Sequence, residues 1–400
     1  MNILILGKKY PYPTNDGESV AVANLCEGYK TRGHSLTLVC MNLLRSPKLP
    51  SGDGQDTFEQ VHVVDVDNSL KAVDAVWNLL FTSESYHVSR FVTNAFAQKV
   101  REVLSSKHFD LVQMETLYLT PYIDLVRECS PNSTLVYRSH NVEHEIWKRM
   151  TRQTNNPLKK WYLGILANRL MDYECKMLNH TDGLMAITAR DLEQYQQHGL
   201  QIPAITLPIG LNFNKYKLDD SDLPKGPVDV AFIGSLDWLP NTEGLRWMLE
   251  HVWPLVMQRM PQACFYIAGR HCPDWLKEGN WTGVKVVGEV PDALEFLKAH
   301  HLVAVPLLSG GGMRVKILEA MAAGRPVLST SVGIEGIHAV DGVSALIAEQ
   351  SDVFAEKITW GLSHPSALLS IGNEGRRLVE LDFDNQKNAD KALGFMEGLK

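Results

Sequence analysis

Short apolar runs recur along this chain, separated by stretches of helical character. ILILG (3–7), SLTLVC (35–40), VHVVDV (61–66), FDLVQM (109–114), TLVYRS (134–139) and GLMAIT (183–188) form a first series, with helical pieces at 17–33, 93–106 and 157–179 between them. The series restarts with VDVAFIG (228–234), CFYIAG (264–269), VKVVG (284–288), LVAVPL (302–307) and RPVLST (325–330). A strand apolar along its whole length is covered on both faces, and crossovers long enough to hold a helix make neighbouring strands parallel. The pattern predicts an α/β protein of two doubly wound, Rossmann-like domains. Prolines, glycines and charges mark 206–227 as a linker. An N-terminal domain then spans 1–205, a C-terminal domain 228–380, and a final helix lies in 381–400. Ligands of such folds bind beyond the carboxyl ends of the strands, and in the cleft between two such domains.

Bulk properties agree with this reading. The 400 residues are 45% hydrophobic, enough material for two cores. A formal net charge of -7 argues against a general nucleic-acid binder. Six cysteines are scattered with no C-x-x-C pair, which suits reduced thiols in a cytoplasmic protein. The apolar run after Asn2 is too short for a secretory leader and suits a first strand. No apolar stretch reaches the length of a membrane span.

One segment asks for a ligand. Residues 309–326 read SGGGMRVKILEAMAAGRP. The glycines follow a strand and run into strong helix formers, with Gly324 as a natural C-cap, so a helix is expected over 312–323. Glycines let an anion approach the free N–H groups of a helix start. Arg314 and Lys316 place cations in that first turn, against the helix dipole, and a choice that costs stability there suggests function. A phosphate or diphosphate held by backbone N–H groups, Arg314 and Lys316 accounts for this, with Glu319 free to accept from a diol such as ribose. A glycine-rich surface turn with two solvated bases is the bland alternative. Neither the Walker A spacing nor the G-x-G-x-x-G fingerprint is present.

In context, the chain resembles the retaining GT-B glycosyltransferases of the family 4 group, over nearly its whole length. The strongest piece is VPLLSGGGMRVKILEAMAAGRPVLSTSVGIEGIHAVDGVSALI (305–347), similar to the family's donor segment. FIGSLDWLPNTEG (232–244) is similar to its phosphate loop, and IAGR (267–270) and VVGEVPD (286–292) match two further loops. PYPTNDGES (11–19) and YRSHNVEHE (137–145) sit where the family has an acceptor-side glycine loop and a strand-end histidine. The resemblance implies a nucleotide-diphosphate sugar as co-substrate, no metal and no other cofactor. It implies transfer to a glycan, lipid-linked or small-molecule acceptor, in cell-surface polysaccharide or glycoconjugate assembly. Glu319 would bind the donor ribose, Arg314 and Lys316 the diphosphate, and His140 would lie near the transferred sugar. Gly17, Gly234, Ser235, Asn241, Arg270, Val290, Gly311, Gly312, Met313 and Val315 would line the donor site. The final helix would pack back on the N-terminal domain, and domain closure would bring His140 and the Gly17 loop over the donor. The chain departs from the family at three positions. Gly311 stands where relatives carry the first of two acids, and Ser235 and Asn241 stand where they carry cations. The positive charge is therefore expected to have moved to Arg314 and Lys316. A non-catalytic relative and a GT-B sugar-nucleotide epimerase are the alternative functions.

Asp16, Glu115 and Asn141 are acceptor-side candidates, although Glu115 serves equally well as a helix cap and Asp16 as a turn residue. Trp238 is expected to pack, with stacking on a ligand as the alternative. His140 and His144 are spaced for one helix face, but with no third ligand evident a metal is not expected. The basic, aromatic segment 146–170 is either an amphipathic helix with a solvated face or a peripheral contact with an anionic membrane surface.

Overall fold

The computed structural model describes every residue except 15, 45–46, 48–53, 55, 70–84, 218–223, 225–227 and 400, so most of the second half of the expected linker lies outside the described residues. The chain divides into two compact units, Met1–Gly210 with Asn385–Lys400, and Leu211–Asp384.

The first unit is built on a seven-stranded parallel sheet: β1 (Asn2–Gly7), β2 (Ser35–Leu43), β3 (Gln60–Val66), β4 (Leu111–Glu115), β5 (Thr134–Ser139), β6 (Gly183–Ala186) and β7 (Ala204–Thr206). Their order is β3-β2-β1-β4-β5-β6-β7. Alternation in β1 sends Leu4 and Leu6 into one core and Ile3 and Ile5 into the other, so both faces are covered. Each such side chain contributes about 1.5–3 kcal/mol on burial. Helix α1 (Gly17–Thr31) follows β1 and is capped by Asp16, which accepts from the Ser19 N–H. Helix α2 (Asn94–Ser106) is capped by Thr93. Helices α3 (Glu143–Gln153) and α4 (Pro157–Leu178) join β5 to β6.

The second unit holds a six-stranded parallel sheet: β8 (Val230–Ile233), β9 (Phe265–Ala268), β10 (Val284–Gly288), β11 (Leu302–Val305), β12 (Val327–Ser329) and β13 (Leu346–Ile347). Its order is β10-β9-β8-β11-β12-β13, around a core that includes Phe232, Phe265, Ile267 and Leu328. Strand order reverses between β1 and β4 in the first unit and between β8 and β11 in the second. These reversals set where each unit can bind a ligand. Helix α5 (Leu239–Trp247) follows β8, and α6 (Val315–Ala322) follows β11. The last helix, α7 (Asn385–Glu397), belongs to the first unit, where Arg32 donates to Asp390.

Three elements differ from the sequence expectation. The short strands β7 and β13 were not anticipated, because two or three residues carry no readable period. Helix α6 starts at Val315 rather than at 312, with Arg314 as its N-cap. Gly310 (φ 109°) and Gly312 (φ 75°) hold left-handed backbone that other residues avoid, which delays the helix.

Candidate functional site

The second unit gathers its candidates at the β8/β11 reversal. Gly234 and Ser235 leave β8, Asn241 lies in the first turn of α5, and the 309–314 loop leaves β11 for α6. Lys316 links them. Its Nζ donates to Asn241 Oδ1 (2.7 Å) and lies 4.3 Å from the centre of the Phe232 ring. A Cβ added to Gly234 would come 2.9 Å from that Nζ, so the absent side chain leaves the ammonium its space. Asn241 is buried and uses its amide to donate to the Ser235 carbonyl (2.7 Å). Among the described residues no carboxylate pairs with Lys316. Burial, reinforced by Arg314, brings its ammonium down to about 7.

Arg314 is not in the first helical turn. It is buried, and its Nη1 donates to the carbonyls of Gly311 and Gly312. The guanidinium carbon lies 5.8 Å from the centre of the Trp238 ring. Trp238 is 43% exposed beside Arg314, which disfavours the packing role and leaves its face open for stacking. Ser235 Oγ donates to Asp237 (2.6 Å). Met313 and Val315 are half-buried beside Arg314.

Glu319 lies one turn further along α6, where Tyr216 donates to it (3.4 Å). Burial raises its carboxyl to about 7, with Asp292 adding to the rise and Tyr216 opposing it. Arg270 and Val290 follow the ends of β9 and β10, and the Arg270 carbonyl accepts from Leu236 N–H (2.9 Å).

The first unit gathers its own set at the β1/β4 reversal. A small pocket there is lined by Gly7, Lys8, Lys9, Glu18 and Glu115, among others. Glu115 does not cap a helix: it is 1% exposed, and His140 Nε2 lies 2.6 Å from its Oε2. Arg138 lies 3.7 Å from the other oxygen, and Gln113 donates to that same oxygen. Burial alone would raise the Glu115 carboxyl, but Arg138 and His140 outweigh it and hold it below its ordinary value. The next residue, Thr116, is β-branched yet has φ 98°, a strain of the kind stored at functional sites.

Around this pair, Asp16 accepts from Lys9 (2.7 Å) as well as capping α1. Gly17 opens α1 and is exposed. Lys8 pairs with Glu18 (2.9 Å). Burial opposes ionisation of Glu18, but Lys8, Lys9 and His140 bring it down to about 2. Asn141 takes part through its carbonyl, which accepts from Ser139 Oγ (3.0 Å) and the Tyr195 hydroxyl (3.2 Å). The two histidines of HNVEH do not converge. His144 is fully buried against Glu174 (2.8 Å), while His140 is committed to Glu115.

Sequence reasoning missed Lys8, Glu18, Arg138 and Tyr216. One signal was available: Arg138 is a charge inside the otherwise apolar strand TLVYRS, and a buried charge requires a partner.

Segment 146–170 is two helices, α3 and α4, broken at 154–156, rather than one. Leu158 (78%) and Trp161 (62%) are exposed near the start of α4, beside exposed Lys159 and Lys160. Lys148 pairs with Glu145 (3.7 Å), so one of the segment's bases is spent within the helix. No described helix is long and apolar enough to cross a membrane.

Comparison with known proteins fits this geometry. Residues 227–364 match the family model described as glycosyl transferases group 1. A Klebsiella pneumoniae relative, an uncharacterized 44.6 kDa protein in the cps region, is 23% identical, covering 96% of this chain and 97% of its own. Among solved structures, Anabaena HepE in complex with UDP superposes with TM-score 0.71 and 16% identity, covering 100% of both chains. Sucrose-phosphate synthase from Thermosynechococcus elongatus gives TM-score 0.73 and 15% identity over 100% of this chain and 99% of that one. The chain thus has the GT-B fold, and over residues 227–364 its C-terminal domain matches the model of the glycosyl transferases group 1 family.

Proposed function

We propose that this protein is a retaining glycosyltransferase. It moves a sugar from a nucleotide-diphosphate donor to a hydroxyl of a glycan, lipid-linked or small-molecule acceptor, in cell-surface polysaccharide assembly. The observation that carries the reading is Lys316. A cation sunk beside Gly234 and Asn241, with no carboxylate partner, is costly unless an anionic ligand completes it. A nucleoside diphosphate does so, and the Ser309–Arg314 loop lies beside it. The solved neighbour HepE binds UDP and UDP-glucose, and the Klebsiella relative comes from a cps region; both support the same setting.

In this reading Glu319 accepts from the donor ribose, and Lys316 stabilises the charge that grows on the diphosphate as the glycosidic bond breaks. The acceptor hydroxyl attacks the face the leaving group vacates, and its proton passes to the diphosphate oxygen. The sugar therefore keeps its anomeric configuration without a protein base. Positive charge comes from a side chain, so no resident metal is called for. In the first unit, His140 and the pocket beside Glu115 receive the transferred sugar and the acceptor, with Glu115 holding the imidazole by its Nε2.

A thermal-shift screen against UDP-, GDP-, ADP- and dTDP-sugars tests the donor site. One nucleotide is expected to stabilise the protein by about 2.7 kcal/mol at a hundredfold excess over Kd. Glu319→Gln, which weakens the acceptor for ribose, is expected to cut affinity by about tenfold or more. No stabilisation by any of the four would contradict the reading.

The exposed Leu158–Trp161 patch supports a peripheral contact with an anionic bilayer. Sedimentation with vesicles containing anionic lipid is expected to capture the protein, and Lys159→Gln with Lys160→Gln to release it, at about 1 kcal/mol per charge. Capture that ignores these charges would rule the contact out.

A further inference from the structure

The two cations of the glycine segment are held in different ways. Arg314 lies before α6, and one nitrogen of its guanidinium takes the carbonyls of two consecutive glycines, Gly311 and Gly312. Both peptide bonds are trans, since the one cis bond among the described residues is Tyr12–Pro13. In a planar trans peptide the N–H points opposite to the C=O. Pulling those two carbonyls onto the guanidinium therefore turns the N–H groups of Gly312 and Met313 to the other side of the loop. Among the described residues neither of these N–H groups has an acceptor. Two successive N–H groups facing one way form a concavity that suits an anion. The positive φ of Gly312 permits this arrangement. The loop also closes on Pro240: a Cβ on Gly310 would come 3.4 Å from its ring and 3.0 Å from Arg314 Nη2. Pro240 adjoins Asn241, which accepts from Lys316.

We propose that these cations divide the work: Lys316 is the charge that meets the donor diphosphate, and Arg314 is a positioning residue that shapes the glycine loop into an N–H cradle for the same anion. This rests on the reading of the second unit as the donor site. It replaces the simpler expectation that both side chains clamp the phosphates.

Lysine at 314 separates shape from charge. It keeps the charge, but its ammonium stops about one bond short of Nη1 and lacks the flat face that rests near Trp238. The probes are UDP, GDP, ADP and dTDP, titrated calorimetrically at low and high salt into wild type, Arg314→Lys, Arg314→Gln and Lys316→Gln. The nucleoside of the best binder serves as a phosphate-free control. Arg314→Lys and Arg314→Gln are expected to weaken the diphosphate equally, by about tenfold or more, while keeping the wild-type salt dependence. Lys316→Gln is expected to weaken it and to flatten that dependence. Nucleoside binding stays unchanged in all three, which also shows that each variant is folded. Wild-type affinity in Arg314→Lys, with a flattened salt dependence in Arg314→Gln, would overturn the division and make Arg314 a phosphate ligand. If wild type binds none of the four diphosphates, the donor-site reading itself fails, a separate result.

Discussion

Replacing Lys316 by glutamine is expected to lower turnover by about 100-fold to 1,000-fold, the usual range for removing a group that stabilises developing charge. The folded protein should not suffer. The ammonium is half-buried with one amide oxygen and an aromatic ring for company, so removing its charge relieves a desolvation cost, and Tm is expected to hold or rise. The pH dependence carries a sign. Burial and the nearby Arg314 hold the free Lys316 ammonium down to about 7, so at pH 8 most of it is neutral. A bound diphosphate favours the charged form, so binding at pH 8 takes up a proton. Apparent affinity should then fall by up to about tenfold per pH unit above 7, because each binding event must first protonate the amine. Glu319, raised to about 7, is already largely ionised at pH 8 and adds little in that window. Calorimetry in two buffers of different ionisation enthalpy reads the uptake. Wild type should show it and Lys316→Gln should not; uptake that survives in the variant would assign the proton elsewhere.

The second large effect is expected in the first unit. Glu115→Ala removes the carboxylate that faces Arg138 and His140, and leaves the 1% exposed guanidinium of Arg138 without its counter-charge. Arg138 Nη1 keeps its bond to the Ala21 carbonyl (2.9 Å), but a neutral acceptor does not offset a buried cation. Breaking one side of a buried pair costs about 3–5 kcal/mol. For a unit of this size that lowers Tm by on the order of 10 °C. Glu115 is also ionised below its ordinary range, so its contribution is present above the unfolded carboxyl value and fades as pH falls through the lower folded one. The Tm difference between wild type and Glu115→Ala should therefore shrink in acid. A difference below about 1 kcal/mol at neutral pH would show that the cluster is not the fold's internal tie.

The sequence carried the architecture because its strand runs are apolar and alternate with helical stretches. TLVYRS (134–139) and VKVVG (284–288) coincide with β5 and β10. Residues such as β13, with two members, had no period to read. The start of α6 was misplaced for a related reason. Helical character runs smoothly back through Met313 in sequence, whereas the left-handed glycines that stop it are a backbone choice with no side-chain signal.

The candidate site was legible by residue but not by partner. Lys316 and Glu319 fall on α6 with the spacing expected, yet the pairing of Lys316 with Asn241 joins the starts of two helices and depends on which strands are neighbours. Likewise Glu115 meets Arg138 because β4 and β5 run in register with those residues opposite each other. Their separation along the chain gives no hint of it. Arg314 shows the limit most clearly. Charge and position suggested a phosphate ligand, and only the backbone reveals its guanidinium turned onto glycine carbonyls.

The most direct test of the account follows the sugar itself. The nucleotide sugar that stabilises the protein is incubated with an acceptor preparation, and the anomeric configuration of the product is followed by nuclear magnetic resonance. The account predicts release of nucleoside diphosphate in step with a new glycoside of unchanged anomeric configuration, both lost in Lys316→Gln. An inverted product, or a donor consumed without any acceptor and at the same rate in Lys316→Gln, would contradict it.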